Sequence, residues 1–240
     1  MGEERFYRYA IYFTPEKETP LYEMGSRWLG RDVVTGLTAA PGLPTGIGLE
    51  QWREATASPR RYGFHATLKP PFSLAADRDA DELRACLRTF AAGHKAYFSP
   101  RLMVSALGNF LALIPSEPYP ELCQLAADCV EYFEDFRAPA SVEDLTRRRH
   151  SNMSERELRH LARWGYPYVL DTWKFHMTLT GSLEQELRHN FQQHLGQLFA
   201  KQCERPLPVT SICLFAEREP NSDFFLIERA ALGRTYDAQY

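Results

Sequence analysis

One pentapeptide occurs twice in this chain. Phe64-His65-Ala66-Thr67-Leu68 returns as Phe175-His176-Met177-Thr178-Leu179, identical at four of five positions, with the histidines 111 residues apart. Chance recurrence of such a string is on the order of one in a thousand at ordinary residue frequencies. On an extended strand, residues i and i+2 point to the same face. His65 and Thr67 therefore share one face, and Ala66 and Leu68 the other. His176 and Thr178 repeat the pattern. An imidazole beside a hydroxyl, supplied twice, forms a symmetric site for a phosphoryl group. In the same register Lys69 and Lys174 fall on the histidine faces, and each is a candidate for placing positive charge beside the phosphate. Gly63, with no side chain, lets another group approach the backbone closely. Phe64, Leu68, Phe175 and Leu179 read as core.

The rest of the chain arranges itself around these strings. Arg5 to Phe13 reads as a strand, and a helix follows over about Leu21 to Leu29. Ala39 to Gly48 is Pro/Gly-rich and reads as a loop. Tyr62 to Leu68 is the first motif strand, ended by Pro70-Pro71. Leu83, Cys86, Leu87 and Phe90 recur at helical spacing and predict a helix over about Ala80 to Ala92. Gly108-Asn109 suits a tight turn between strands Arg101 to Leu107 and Phe110 to Ile114. A helix over about Pro120 to Phe136 leads to two short helical pieces, the second opened by a Ser154-x-x-Glu157 capping box. The second motif strand covers about Thr172 to Thr180. Ser182-x-x-Gln185 then caps a helix to about Ala200, and strands Val209 to Phe215 and Phe224 to Arg229 close the chain.

The order of motif strand, helix and hairpin thus occurs twice, which predicts an internal duplication. The expected fold is α+β. One bilobal unit spans residues 1–240, its first half 1–117 and its second half 118–240. It is built of two antiparallel sheets with flanking helices and a central cleft, and the lobes are able to exchange terminal strands.

Composition narrows the partners. A net charge of −3 argues against a broad nucleic-acid surface, which needs a basic stripe, but leaves room for a small anion in a locally basic pocket. No run of 18 apolar residues exists, so no membrane span is expected. Met1-Gly2-Glu3-Glu4-Arg5 does not open a secretory leader. The five cysteines, Cys86, Cys123, Cys129, Cys203 and Cys213, include no Cys-x-x-Cys spacing and read as free thiols of a reducing, cytoplasmic compartment. Neither a cofactor nor a metal site is expected, and the oligomeric state is left open.

Two histidines that meet in one cleft cannot easily both be charged, so their titrations split and one serves as general base while the other serves as general acid. The threonine hydroxyls donate to non-bridging phosphate oxygens, where charge grows in the transition state. The reaction that fits is in-line opening of a cyclic phosphodiester, with one histidine deprotonating water and the other protonating the departing sugar oxygen.

The paired His-x-Thr-Leu strings resemble those of the two-histidine (2H) phosphoesterase superfamily. The resemblance implies a bilobal α+β fold with one motif per lobe facing a central cleft, and metal-independent phosphodiester chemistry carried by His65, Thr67, His176 and Thr178. The segments RRYGFHATLKPPF (60–72), Arg137-Ala138-Pro139, WGYPYV (164–169) and HMTLTG (176–181) look most like the branch found with carbon–phosphorus lyase operons. That context implies a role in phosphonate breakdown, where a 5-phosphoribosyl 1,2-cyclic phosphate needs a phosphodiesterase. An RNA enzyme acting on 2′,3′-cyclic ends and a non-catalytic protein that binds a phosphate ligand are the alternatives. Trp164, Tyr166 and Tyr168 either stack a base or sugar or pack onto the fold. Arg147-Arg148-Arg149 reads as a solvated run, whereas Arg60-Arg61, just before the first motif, are better placed for a phosphate.

Overall fold

The computed structural model describes residues 6–38, 43 and 46–233. In chain order the elements are β1 (Arg8–Phe13), α1 (Pro20–Leu29), α2 (Leu49–Tyr62), β2 (Ala66–Phe72), α3 (Ala80–Gly93), β3 (Tyr97–Leu107), β4 (Phe110–Pro115), α4 (Pro120–Tyr132), α5 (Val142–Arg148), α6 (Glu155–Trp164), β5 (Met177–Thr178), α7 (Gln185–Phe199), β6 (Pro206–Val209), β7 (Ser211–Glu217) and β8 (Phe224–Ala231).

The strands form two antiparallel four-stranded sheets, ordered β2-β1-β7-β8 and β5-β4-β3-β6. The fold is the expected α+β arrangement of two antiparallel sheets with flanking helices. Each motif strand lies at the edge of its sheet. Each sheet also mixes early and late strands: β2 and β1 join the C-terminal pair β7 and β8, while β5 joins the β3–β4 hairpin. Tyr9, Ile11 and Phe13 of the first sheet and Leu111, Leu113 and Met177 of the second are buried in one continuous core. A second, smaller cluster of Ala10, Tyr12, Cys213, Phe215 and Phe224 covers the opposite face of the first sheet. Gly108 adopts a positive φ of 60° in the turn joining β3 and β4, as its dipeptide predicts. No helix among the described residues is long and apolar enough to cross a membrane.

Several local expectations need correction. The first motif strand runs over Ala66–Phe72, not Tyr62–Leu68, and it passes through Pro70-Pro71. An edge strand tolerates proline because the missing N–H faces no neighbouring strand. Tyr62 instead ends α2, a helix that the sequence pattern did not reveal, because only Trp52 among its buried residues is large and apolar, beside Ala55, Thr56 and Pro59. The second motif pairs only over Met177–Thr178, and Leu170–Thr172 forms a 3-10 turn before it. Ser182 does not cap α7; Glu184 precedes its first turn. The Ala39–Gly48 loop falls largely outside the described residues, as does Arg5 of the first predicted strand. All five cysteines are free, with Cys129 and Cys213 buried and the others partly so.

Candidate active site

Gly63 opens the first motif with φ 75° and ψ −175° after α2, its amide bonded to the carbonyls of Pro59 and Arg60. That backbone region belongs essentially to glycine. A Cβ there would lie 1.8 Å from Val33 Cγ1, so a neighbour does approach the backbone as closely as the sequence suggested. The turn aims the Gly63 carbonyl at the next ring but one: it accepts from His65 Nδ1 at 2.9 Å. The second motif repeats the device, with the Lys174 carbonyl accepting from His176 Nδ1 at 2.8 Å. A carbonyl only accepts, so Nδ1 carries the hydrogen in each neutral ring and Nε2 presents its lone pair. The two histidines are thus anchored alike, each by the residue two positions before it.

The first ring is fixed further. His65 stacks on Tyr12, with ring centroids 3.9 Å apart and planes 25° from parallel. Thr67 Oγ1 lies 3.3 Å from His65 Nε2, so hydroxyl and imidazole share a face as the strand period predicts. His65 and Thr178 line one cavity of about 300 Å³ together with Ser58, Tyr62, Phe110 and Thr180. The His176 ring lies 5.8 Å from that of Phe110 on the cavity wall. Burial pushes His65 down to about 4, with the Gly63 carbonyl opposing and the field of His176 adding to the drop. Burial lowers His176 as well, opposed by its bond to the Lys174 carbonyl. Both rings are therefore neutral in the free protein at neutral pH, where the pairing argument expected one to be charged. The reason is desolvation, which disfavours imidazolium in each ring separately.

Lys69 is a correction. Strand β2 carries an extra residue here: Thr67 pairs with Tyr12, but Lys69 pairs with the very next residue, Ile11. The bulge turns Lys69 to the core side of the sheet. It is buried, and its Nζ donates to the Val130 carbonyl at 2.8 Å and to Glu134 at 2.9 Å. Lys174 is exposed. Arg60 and Arg61 do not face the cavity as free cations either. Arg60 Nε donates to the Leu29 carbonyl at 2.9 Å and its guanidinium covers Trp52, while Arg61 pairs with Glu217 and with the Ser222 carbonyl.

The sequence reading missed α2 and the residues that tie it to the second motif. Pro59 has no N–H, so the Ala55 carbonyl four residues earlier loses its helical donor. The amide of Gly181 takes that place at 2.7 Å. The available signal was Pro59, five residues before the first motif begins at Phe64.

A profile of the family described as "Protein of unknown function (DUF1045)" matches residues 67–225, from the first motif threonine into β8. The chain belongs to the DUF1045 family. It is 36% identical over 231 residues to a protein of Janthinobacterium sp. (strain Marseille) named ribose 1,5-bisphosphate phosphokinase PhnN, covering 93% of this chain and 50% of that protein. A protein of the same name from Laribacter hongkongensis (strain HLHK9) is 32% identical over 219 residues, covering 91% of this chain and 50% of that one. The chain spans about half the length of these curated relatives. Among solved structures, E. coli LigT complexed with 3′-AMP aligns with a TM-score of 0.40 and 14% identity, over 97% of this chain and all of that one. LigT complexed with NADP+ aligns at 0.42 and 15%, with the same coverage.

Proposed function

We propose that this DUF1045 protein is a metal-independent phosphodiesterase of the 2H type that opens a small ribose cyclic phosphate by histidine acid–base catalysis. The observation that carries this reading is the meeting of His65 and Thr178, from the two repeated strings, on the wall of one cavity. In the reaction, water attacks phosphorus in line with the sugar oxygen that departs. One Nε2 takes a proton from the water, the ring P–O bond breaks, and the other Nε2–H gives its proton to the sugar oxygen. His65, which burial pushes down to about 4, is the base. His176 is the acid, protonated as the phosphodiester enters, because a nearby anion raises the proton affinity of an imidazole. Thr67 and Thr178 donate to the non-bridging oxygens, and Lys174, exposed beside the second motif, adds positive charge at the approach.

The relatives named for ribose 1,5-bisphosphate support a phosphorylated ribose as the substrate class and a place in phosphonate metabolism. The phosphokinase activity in that name is not carried over, since this chain contains no Gly-Lys-Ser or Gly-Lys-Thr phosphate-loop string. The test is to assay the purified chain, with a chelator present, on ribose cyclic phosphates and 2′,3′-cyclic nucleotides. Hydrolysis persists with chelator, and His65→Ala and His176→Ala each lower turnover by about 10² or more. Activity that the chelator abolishes, or that only one histidine supports, overturns the mechanism.

A further inference from the structure

A second polar cavity, of about 60 Å³, lies toward the far end of β1 and β2 from the His65–Tyr12 stack, lined in part by Arg8, Ser73, Arg137, Asp144 and Arg148. That volume holds roughly four water-sized atoms at about 15 Å³ each, which suits the oxygens of one phosphate group. Its electrostatics run against those of the chain as a whole. Arg8 and Arg61 share the buried carboxylate of Glu217, Arg137 and Lys69 share Glu134, and Arg147 pairs with Asp144. Arg148 has no carboxylate partner among the described residues. On the cavity wall itself three guanidiniums, those of Arg8, Arg137 and Arg148, face one carboxylate, that of Asp144, in a chain whose net charge is −3.

The two arginines also have donors to spare. A guanidinium carries five N–H groups. Arg8 commits Nε to Glu217 at 2.6 Å, and Arg148 commits one N–H to the Gly165 carbonyl and one to the Pro71 carbonyl at 3.5 Å. Tyr12 is not part of the cavity wall, but it lies on the same strand as Arg8. It is 1% exposed, its hydroxyl has no hydrogen-bond partner among the described residues, and the fields of Tyr62, Tyr166, Arg8 and Glu217 all reach it. Tyr12 is also the ring on which His65 stacks. The remaining rings run between the two sites: Tyr62 is 6.1 Å from His65 and 5.2 Å from Phe224, and the Arg8 guanidinium lies 5.6 Å over Phe224. Arg8 is four residues from Tyr12 on β1, and Pro71 four from Thr67 on β2, about 13 Å along the strands before the side chains lean inward.

We propose that this cavity is an anion subsite in which Arg148 and Arg8 hold a phosphomonoester carried on the same small sugar whose cyclic phosphate meets the histidines. The inference rests on the phosphodiesterase reading for the second half of that statement, while the subsite itself can be tested alone. The probe is ribose 5-phosphate, titrated calorimetrically into the full chain with ribose as control. Ribose 5-phosphate binds at least tenfold more tightly than ribose. Arg148→Gln and Arg8→Gln each weaken it at least tenfold, and the double variant His65→Ala, His176→Ala changes it by less than threefold. Arg148→Lys keeps the charge and much of the packing but loses the guanidinium fork, and weakens binding about threefold, which keeps the test valid if a glutamine variant fails to fold. Binding unchanged in the arginine variants, or lost only with the histidines, overturns the subsite. A chain that hydrolyses cyclic phosphates but binds ribose 5-phosphate no better than ribose loses the subsite and keeps the esterase. The reverse result loses the esterase and keeps the subsite.

Discussion

The indole nitrogen of Trp173 donates to the main-chain carbonyl of Thr67 at 2.8 Å, across 106 residues of sequence. The relationship is reciprocal. Trp28, which precedes the first motif, donates its indole N–H to the Leu179 carbonyl of the second, also at 2.8 Å. Each motif backbone is therefore held by a tryptophan from the opposite side of the repeat. Edge strands have outward carbonyls that no neighbouring strand satisfies. Indoles from across the molecule satisfy two such groups and tie the two motif backbones to each other's flanking segments.

Trp173→Phe keeps an aromatic ring and removes the donor, leaving the Thr67 carbonyl unpaired in a half-buried place. Stability falls by about 1–3 kcal/mol, read from the urea midpoint. Trp28→Phe behaves alike. A loss confined to one of the two positions would contradict a reciprocal brace.

Gly63→Ala meets two obstacles, a positive φ and the Val33 methyl 1.8 Å from the new Cβ. The strain of the backbone alone is about 1–3 kcal/mol, and the clash adds to it. The variant also shifts the carbonyl that anchors His65. A denaturant titration and a turnover assay on the same sample report both effects, and retention of wild-type values in either shows that the turn is not what positions the ring.

Stability depends on pH through His65. An unfolded histidine titrates near 6.5, and the folded ring near 4 because burial opposes its charge. Between those values the unfolded chain binds the extra proton, so stability falls as pH drops from about 6.5 toward about 4. His65→Gln reduces that slope relative to the wild type in thermal melts. Catalysis shows a related signature. Because burial lowers both rings in the free protein, kcat/KM declines as pH rises past a value below about 6.5. A profile that is flat to pH 8 would remove the imidazolium acid from the mechanism.

Lys69→Met tests the bulge. Its ammonium bridges Val130 and Glu134 in the core, so its loss costs about 1–3 kcal/mol by leaving the Val130 carbonyl without its donor. Turnover on a cyclic phosphate at saturation changes little. A hundredfold fall in kcat with unchanged stability would return Lys69 to the reaction site.

The pentapeptide pair is legible because chemistry and strand period coincide in it: His65 and Thr67 had to share a face wherever the strand lay. Helices with large apolar residues at regular spacing, such as α3 and α4, and the hairpin at Gly108-Asn109 are legible for the same reason, since local pattern and burial agree. What the local pattern could not carry is anything decided by a partner far along the chain. Helix α2 buries small and polar residues that give no periodic signal, and its broken turn at Pro59 makes sense only beside Gly181. Lys69 obeys the strand period on paper but not across a bulge, because register belongs to the pair of strands and not to one of them. The neutral state of both histidines, the stack on Tyr12 and the guanidinium cluster at the far end of β1 likewise arise from desolvation and contacts between distant segments. Sequence alone determined which groups the chain brings to its chemistry; tertiary packing decided which of them face a common space, since burial and register are properties of surfaces in contact.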